Sequence, residues 1–141
     1  MEWKKNKFII SDDASRLNMD AVCDMLSRAY WASNRPRHVI EKSIQHSLNF
    51  GVYDGDRQVG FSRIVTDYAV FAYLCDVIVH EEYRGQSLGK WMMECVTTHP
   101  ELQGLRRWTL ITHDAHGLYS QFGFTELAAP PRWMEKFDAG A

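Results

Sequence analysis

Cysteine is scarce in this chain. Cys23, Cys75 and Cys95 are the only three among 141 residues, odd in number and far apart. They supply neither a disulfide framework nor a Cys-x-x-Cys zinc or redox site, so a reducing, cytoplasmic setting is expected. A basic excess is missing too. Sixteen Lys and Arg stand against eighteen Asp and Glu, a formal charge of −2, which disfavours a binder of phosphate backbones, and no nucleic-acid partner is expected. Long hydrophobic runs are absent: the longest, Ala69 to Cys75, is far too short to span a bilayer. The N-terminal MEWKKNKFII lacks the apolar core and small-residue cleavage site of a secretory signal. No membrane partner is therefore expected. Repeats, low-complexity tracts and Pro- or Gly-rich linkers are lacking as well, so residues 1–141 are read as one domain.

Apolar mass is ample. With 45% hydrophobic and 13% aromatic residues, the chain can bury enough surface to offset its conformational entropy. Lys7 to Ser11 reads as a first strand, and Ser11, Asp12 and Asp13 offer caps for a helix that starts shortly after. Its apolar residues, Leu17, Ala21, Val22, Met25, Leu26 and Ala29, recur at helical spacing through about Tyr30. Pro36 falls near the first turn of a second helix carrying Val39, Ile40 and Ile44. Phe50 to Tyr53, the turn Asp54-Gly55-Asp56, and Val59 to Thr66 read as a hairpin. The run AVFAYLCDVIV then suggests a central strand buried on both faces. A helix through Leu88, Trp91, Met92, Cys95 and Val96 ends at Pro100. Trp91, Met92 and Met93 read as its core residues. Arg107 to Thr112 alternates as a strand, Ala115 to Phe122 forms a short helix, and Phe124 to Leu127 and Trp133 to Phe137 read as two last strands. The expected fold class is α/β (α+β): a mixed, mostly antiparallel sheet with helices on both faces.

The junction from Val77 to Lys90 carries the chemistry. A buried strand ends, Arg84-Gly85 turns, and a helix opens on small residues. Such a point gathers unpaired N–H groups and the positive end of a helix dipole, suited to a pyrophosphate, with Arg84 and Lys90 as flanking charges. A plain structural connector would use the same glycine. Neither a P-loop nor a G-x-G-x-x-G fingerprint is present.

The segment Arg84-Gly85-Gln86-Ser87-Leu88-Gly89 resembles the Q/R-x-x-G-x-G/A signature of the GNAT superfamily of acetyl-CoA-dependent N-acetyltransferases, with Ser87 in place of glycine. Thr112 to Phe124 is similar to the same family's N-x-x-A-x-x-[FL]-Y-x-x-x-G-F element, with Thr112 in place of asparagine. The resemblance is strongest from about residue 58 to 126. It implies a sheet whose fourth and fifth strands splay apart, with acetyl-CoA as cosubstrate. The cofactor would lie on the amides of Gly85, Gln86, Ser87, Leu88, Gly89 and Lys90 beside Arg84. Its pantetheine arm would pair with Val77, Ile78 and Val79 and lie near Thr112, Ala115, His116 and Tyr119. Serine at position 87 carries a cost of about 1 kcal/mol if that position needs a positive φ.

The resemblance makes Tyr119 the candidate acid for the leaving thiolate, a core tyrosine being the alternative. A backbone N–H near Val79 would meet the oxyanion. Asp76 interrupts the buried run, which makes it the leading base or ammonium anchor; a structural carboxylate paired with Arg63 is the alternative. Asp67, Tyr73 and His116 follow as candidate bases. Tyr30, Trp31 and Arg35, with His38 nearby, fall where the resemblance places the acceptor: rings for a cation or an apolar group, Arg35 for a carboxylate. Helix packing explains them equally. His113, Asp114 and His116 lack a further ligand, so no metal is expected. The function implied is transfer of an acetyl group to a primary amine on a small molecule, peptide or protein in a ternary complex. The rival is a coenzyme A-binding module that acts through partners. Oligomeric state, a homodimer included, stays open.

Overall fold

A computed structural model describes residues 1–141. Six strands form one sheet in sequence order: β1 (Glu2–Lys5), β2 (Phe8–Ser11), β3 (Leu48–Asp54), β4 (Arg57–Thr66), β5 (Phe71–Val79) and β6 (Arg107–Leu110). Every neighbouring pair is antiparallel except β5 and β6, which run parallel. The family's fourth and fifth strands are thus β5 and β6 here. The expected mixed, mostly antiparallel sheet is present, and β1 is an addition to it. Its Glu-Trp-Lys-Lys sequence carries no apolar alternation, and it is held by the tight turn at Asn6, whose φ is 55°, against the expectation of a first strand alone.

Helices cover both faces. α1 (Met19–Ser27) and α2 (Arg37–Gln45) lie on one side, and α3 (Leu88–Thr97) on the other. The first helix starts later than the capping residues after β2 suggest. Asp13 caps only a short 3-10 turn at Ala14–Arg16, and Asn18 caps α1, its side chain accepting from the Ala21 amide. Pro36 is the residue preceding α2 rather than its first turn. Between sheet and α3, Ile10, Phe50, Val52, Ile64 and Leu74 meet Leu88, Trp91, Met92 and Met93. On the opposite face, Phe61 and Ile78 meet Val22, Leu26, Ile40 and Ile44. Burial of these side chains contributes about 1.5–3 kcal/mol each.

One irregularity positions the site. Arg63 pairs with Asp76 but Ile64 pairs with Leu74, so Cys75 is an extra residue in β5, a bulge. Before it, Ala72 and Leu74 face α3. After it, Val77 and Val79 face α3 while Ile78 joins the α1–α2 side. Asp76 is thereby turned onto the face of α1 and α2.

The last third departs from expectation. β6 stops at Leu110 rather than Thr112, and α4 (His116–Ser120) is shorter than Ala115 to Phe122. The strands expected at Phe124–Leu127 and Trp133–Phe137 do not form. That stretch is exposed and irregular, with a 3-10 turn at Pro130–Arg132. Two adjacent prolines remove amide donors there and interrupt any ladder with β6.

Candidate active site

β6 pairs with β5 only from Phe71 to Leu74. From Cys75 to Val79 the β6-facing edge of β5 has no strand partner, so the sheet splays. His80 donates its N–H to Val59 O at 2.8 Å, toward β4. Amide groups alternate sides along a strand, so those of Val79 and Val77 point to the open edge and that of Ile78 toward β4. Both ends of the opened gap bear the residues singled out in the sequence.

At one end lies the start of α3. The first donor of its backbone ladder is the Trp91 N–H, which reaches Ser87 O at 3.0 Å, and the amides from Gly85 to Lys90 donate to no protein acceptor. These are the orphan donors of a helix start, here extended into the turn. Gly85 has φ of 83° and Ser87 has φ 62°, ψ 23°, left-handed without a side-chain cap. The positive φ is therefore required at position 87, and serine adopts it. A Cβ built at Gly85 or Gly89 meets nothing within 4 Å. The glycines face open space, which fits a phosphate group approaching the backbone. Arg84 donates from Nε to Val79 O at 3.3 Å, and neither it nor Lys90 joins an ion pair.

At the other end a cavity of about 390 Å³ lies between the α1–α2 loop, β5 and the segment after β6, lined in part by Tyr30, Trp31, Arg35, Val77, Thr112 and Tyr119. The Tyr30 hydroxyl accepts from the His113 amide at 3.1 Å, tying the α1–α2 loop to the α4 side, and its ring meets Trp31 edge-on at 5.2 Å. Thr112 Oγ1 accepts from the Ala115 amide at 3.0 Å, so threonine holds the turn into α4. Tyr119 is half-buried. Burial pushes its phenol up to about 12, helped by Tyr30 and the Asp114 carboxylate, which keeps it protonated at neutral pH.

The sequence candidates for a base separate sharply. The Asp76 carboxylate is fully buried and already engaged. It accepts from Trp31 Nε1 at 2.7 Å, Arg63 Nε at 2.9 Å and Arg35 Nη1 at 3.2 and 3.3 Å. Asp67 sits in the β4–β5 turn, where its Oδ1 accepts the amides of Ala69, Val70 and Phe71; these bonds from Val70, Ala69 and Phe71 hold the carboxyl below its ordinary range. Tyr73 lines the cavity, its phenol raised by burial, while His116 is exposed and outside the lining. Sequence reasoning missed Asp114 as a cavity residue. It lines the cavity, forms no ion pair, and is the carboxylate open to a ligand there. No group of three or more His, Cys, Asp or Glu side chains is arranged to hold a metal, and no helix is long and apolar enough to cross a membrane. A larger hollow of about 790 Å³ lies between β6 and the C-terminal tail; Val77, Thr112 and Tyr119 line the smaller cavity and not this one.

Helices on both faces of a sheet that opens beside a free-amide helix start make this an acyltransferase architecture. A family profile described as an acetyltransferase (GNAT) domain matches residues 45–126, and the chain belongs to the GNAT family of acetyltransferases. A crystal structure from Xanthomonas campestris, provisionally assigned to the same family, is 43% identical and superposes with a TM-score of 0.92 over 97% of each chain. A Gibberella zeae protein with a provisional acetyltransferase name is 29% identical over 142 aligned positions, 84% of this chain and 79% of that one. The Escherichia coli ribosomal-protein alanine N-acetyltransferase shares the fold, with 22% identity and a TM-score of 0.70 over 86% of this chain and 79% of that one.

Proposed function

We propose that this protein transfers an acetyl group from acetyl-CoA to a primary amine held in the 390 Å³ cavity. The observation that carries the proposal is the continuity from the unpaired amides of Gly85 to Lys90, along the open edge of β5, to Tyr119. Gly85 to Lys90 would hold the pyrophosphate, with Arg84 and Lys90 beside it. The Val77 and Val79 amide groups would pair with the pantetheine arm. Bound acetyl-CoA supplies an activated thioester, so the chain's own work is orientation and proton management.

The Val79 N–H, on the unpaired edge, is suited to receive the negative charge that develops on the acyl oxygen. Tyr119 is protonated and cavity-facing, fit to donate to the leaving thiolate. Asp114 is open to the acceptor ammonium and can accept its proton directly or through water. Asp76 acts as a positioning residue: with both oxygens occupied it fixes Trp31 and Arg35, which line the cavity, rather than serving as the base. Against the rival reading of a coenzyme A-binding module, which the departures at positions 87 and 112 favour, Ser87 adopts the left-handed geometry that a glycine would supply and Thr112 holds the turn into α4.

The test has two arms: melting temperature with and without millimolar coenzyme A, and thiol release from acetyl-CoA across an amine panel. Coenzyme A should raise the melting temperature and adenine nucleotides should do less. An unchanged melting temperature removes the cofactor assignment. Binding without thiol release from any amine removes the transferase assignment and leaves the binding module.

A further inference from the structure

The acceptor cavity carries surplus cationic hydrogen-bonding capacity. Arg35 and Arg63 both line it, and both lean on the single carboxylate of Asp76. Arg63 spends Nε on Asp76 Oδ2 and Nη1 on Ser47 Oγ at 3.1 Å. Arg35 spends Nη1 alone, divided between the two Asp76 oxygens, so its Nε and Nη2 have no partner in the protein. Its side chain is only 23% exposed and that of Arg63 only 11%. These N–H groups are reached from the cavity rather than sealed away, so a ligand there can supply the acceptors that the protein does not. Two cations against the one carboxylate they share leave one positive charge over on the Arg35–Arg63 side, the cavity's other carboxylate, Asp114, pairing with neither, and a planar guanidinium edge matches a carboxylate with two parallel N–H···O bonds.

We propose that the acceptor is an amino carboxylate. Its carboxylate pairs with the free edge of Arg35, backed by Arg63, while its amine lies toward Asp114 and Tyr119. The single surplus charge favours a monoanionic carboxylate over a dianionic phosphomonoester. A cavity of about 390 Å³ sets the scale at a free amino acid or a short peptide end. The inference rests on the reading of this cavity as the acceptor site, and it adds what the acceptor must carry besides its amine.

The experiment compares amino acids with their own carboxamides, and O-phosphoethanolamine with ethanolamine, as acceptors for the wild-type protein, Arg35→Gln and Arg35→Lys. Expected is a kcat/KM ratio of acid to amide of about 10- to 100-fold in the wild type for the accepted side chains. Arg35→Gln should bring that ratio close to one, and Arg35→Lys, which keeps the charge and guards against loss of the fold, should retain part of it. Calorimetric binding of the amino acids to the coenzyme A complex provides a second readout, expected for the wild type and lost in Arg35→Gln. Amides used as well as acids, a ratio untouched by Arg35→Gln, preference for the phosphoamine, or no amino-acid binding to an intact coenzyme A complex each overturns the proposal. Failure to bind coenzyme A at all overturns the underlying transferase reading instead, which keeps the two failures apart.

Discussion

The start of α3 and the cavity beside Tyr119 are neighbours on one opened sheet, yet they are built from different material. The turn from Gly85 to Lys90 presents backbone amides, and its side chains contribute little: Ser87 makes no cap bond, and the glycines face open space. The cavity presents side chains, each fixed by another: Trp31, Arg35 and Arg63 by Asp76, Tyr30 by the His113 amide. A backbone site tolerates substitution wherever the main-chain path survives. A side-chain site fails when one member of the network is removed.

The largest effect should come from breaking that network. Asp76→Ala leaves two partly buried guanidinium groups without their shared anion and should destabilise the fold by about 3 kcal/mol, read as a lower urea midpoint and a melting temperature reduced by about 10 °C. A loss below about 1 kcal/mol would show that the cavity does not depend on this ion cluster. Next comes Tyr119→Phe, which removes one hydroxyl. Single-turnover rates should fall by roughly 10- to 10³-fold while coenzyme A affinity changes by less than about threefold. Because burial lifts the phenol to about 12, Tyr119 stays in its acidic form through pH 10, so any alkaline loss of wild-type rate below that pH must come from another group. A Tyr119→Phe protein with full single-turnover activity would leave positioning as the source of rate.

The turn should respond much less. Gln86→Ala and Ser87→Ala are expected to change coenzyme A affinity by under about threefold, and Ser87→Gly to stabilise the fold by up to about 1 kcal/mol by relieving the left-handed serine. A tenfold loss of affinity in either alanine variant would break the contrast between the two regions. The smallest effect concerns Asp67, whose carboxyl is lowered by three amide donors of its turn. A group with a depressed folded value stabilises above its unfolded value, near 3.9, and that contribution fades as pH falls through the folded value. Asp67→Ala should therefore narrow the difference in stability between pH 6 and pH 3, measured by urea unfolding.

Legibility in the sequence followed the same division. The α3 turn was readable because a backbone site demands particular residue types at fixed spacing, Gly85 and Gly89 above all, and because the helix after it has clear apolar periodicity. Asp76 stood out as a charge in a buried run, and the pairing with Arg63 that was weighed beside its role as a base is present. Its direction was not readable, because a bulge reverses the inside–outside parity on which any alternation argument depends. Asp114 was weighed only with His113 and His116 for a metal, because a loop carboxylate shows its place on a cavity only once β6 is seen to stop at Leu110. The tail misled for the opposite reason. Trp133 to Phe137 has strand-forming side chains, but a strand exists only where another strand receives its hydrogen bonds.

The extra residue at Cys75 separates two duties within one strand. Ahead of it, β5 serves the α3 core through Ala72 and Leu74; beyond it, Asp76 turns to the α1–α2 face while Val77 and Val79 keep to the α3 face. Were Cys75 an ordinary member of the ladder, strict alternation from Ala72 and Leu74 would carry Asp76 to the α3 face, exchanging a carboxylate for an aliphatic side chain in both layers at once. One strand can thereby meet two unrelated demands, an apolar face toward α3 and a buried carboxylate toward α1 and α2, without the spacing of the first dictating the place of the second.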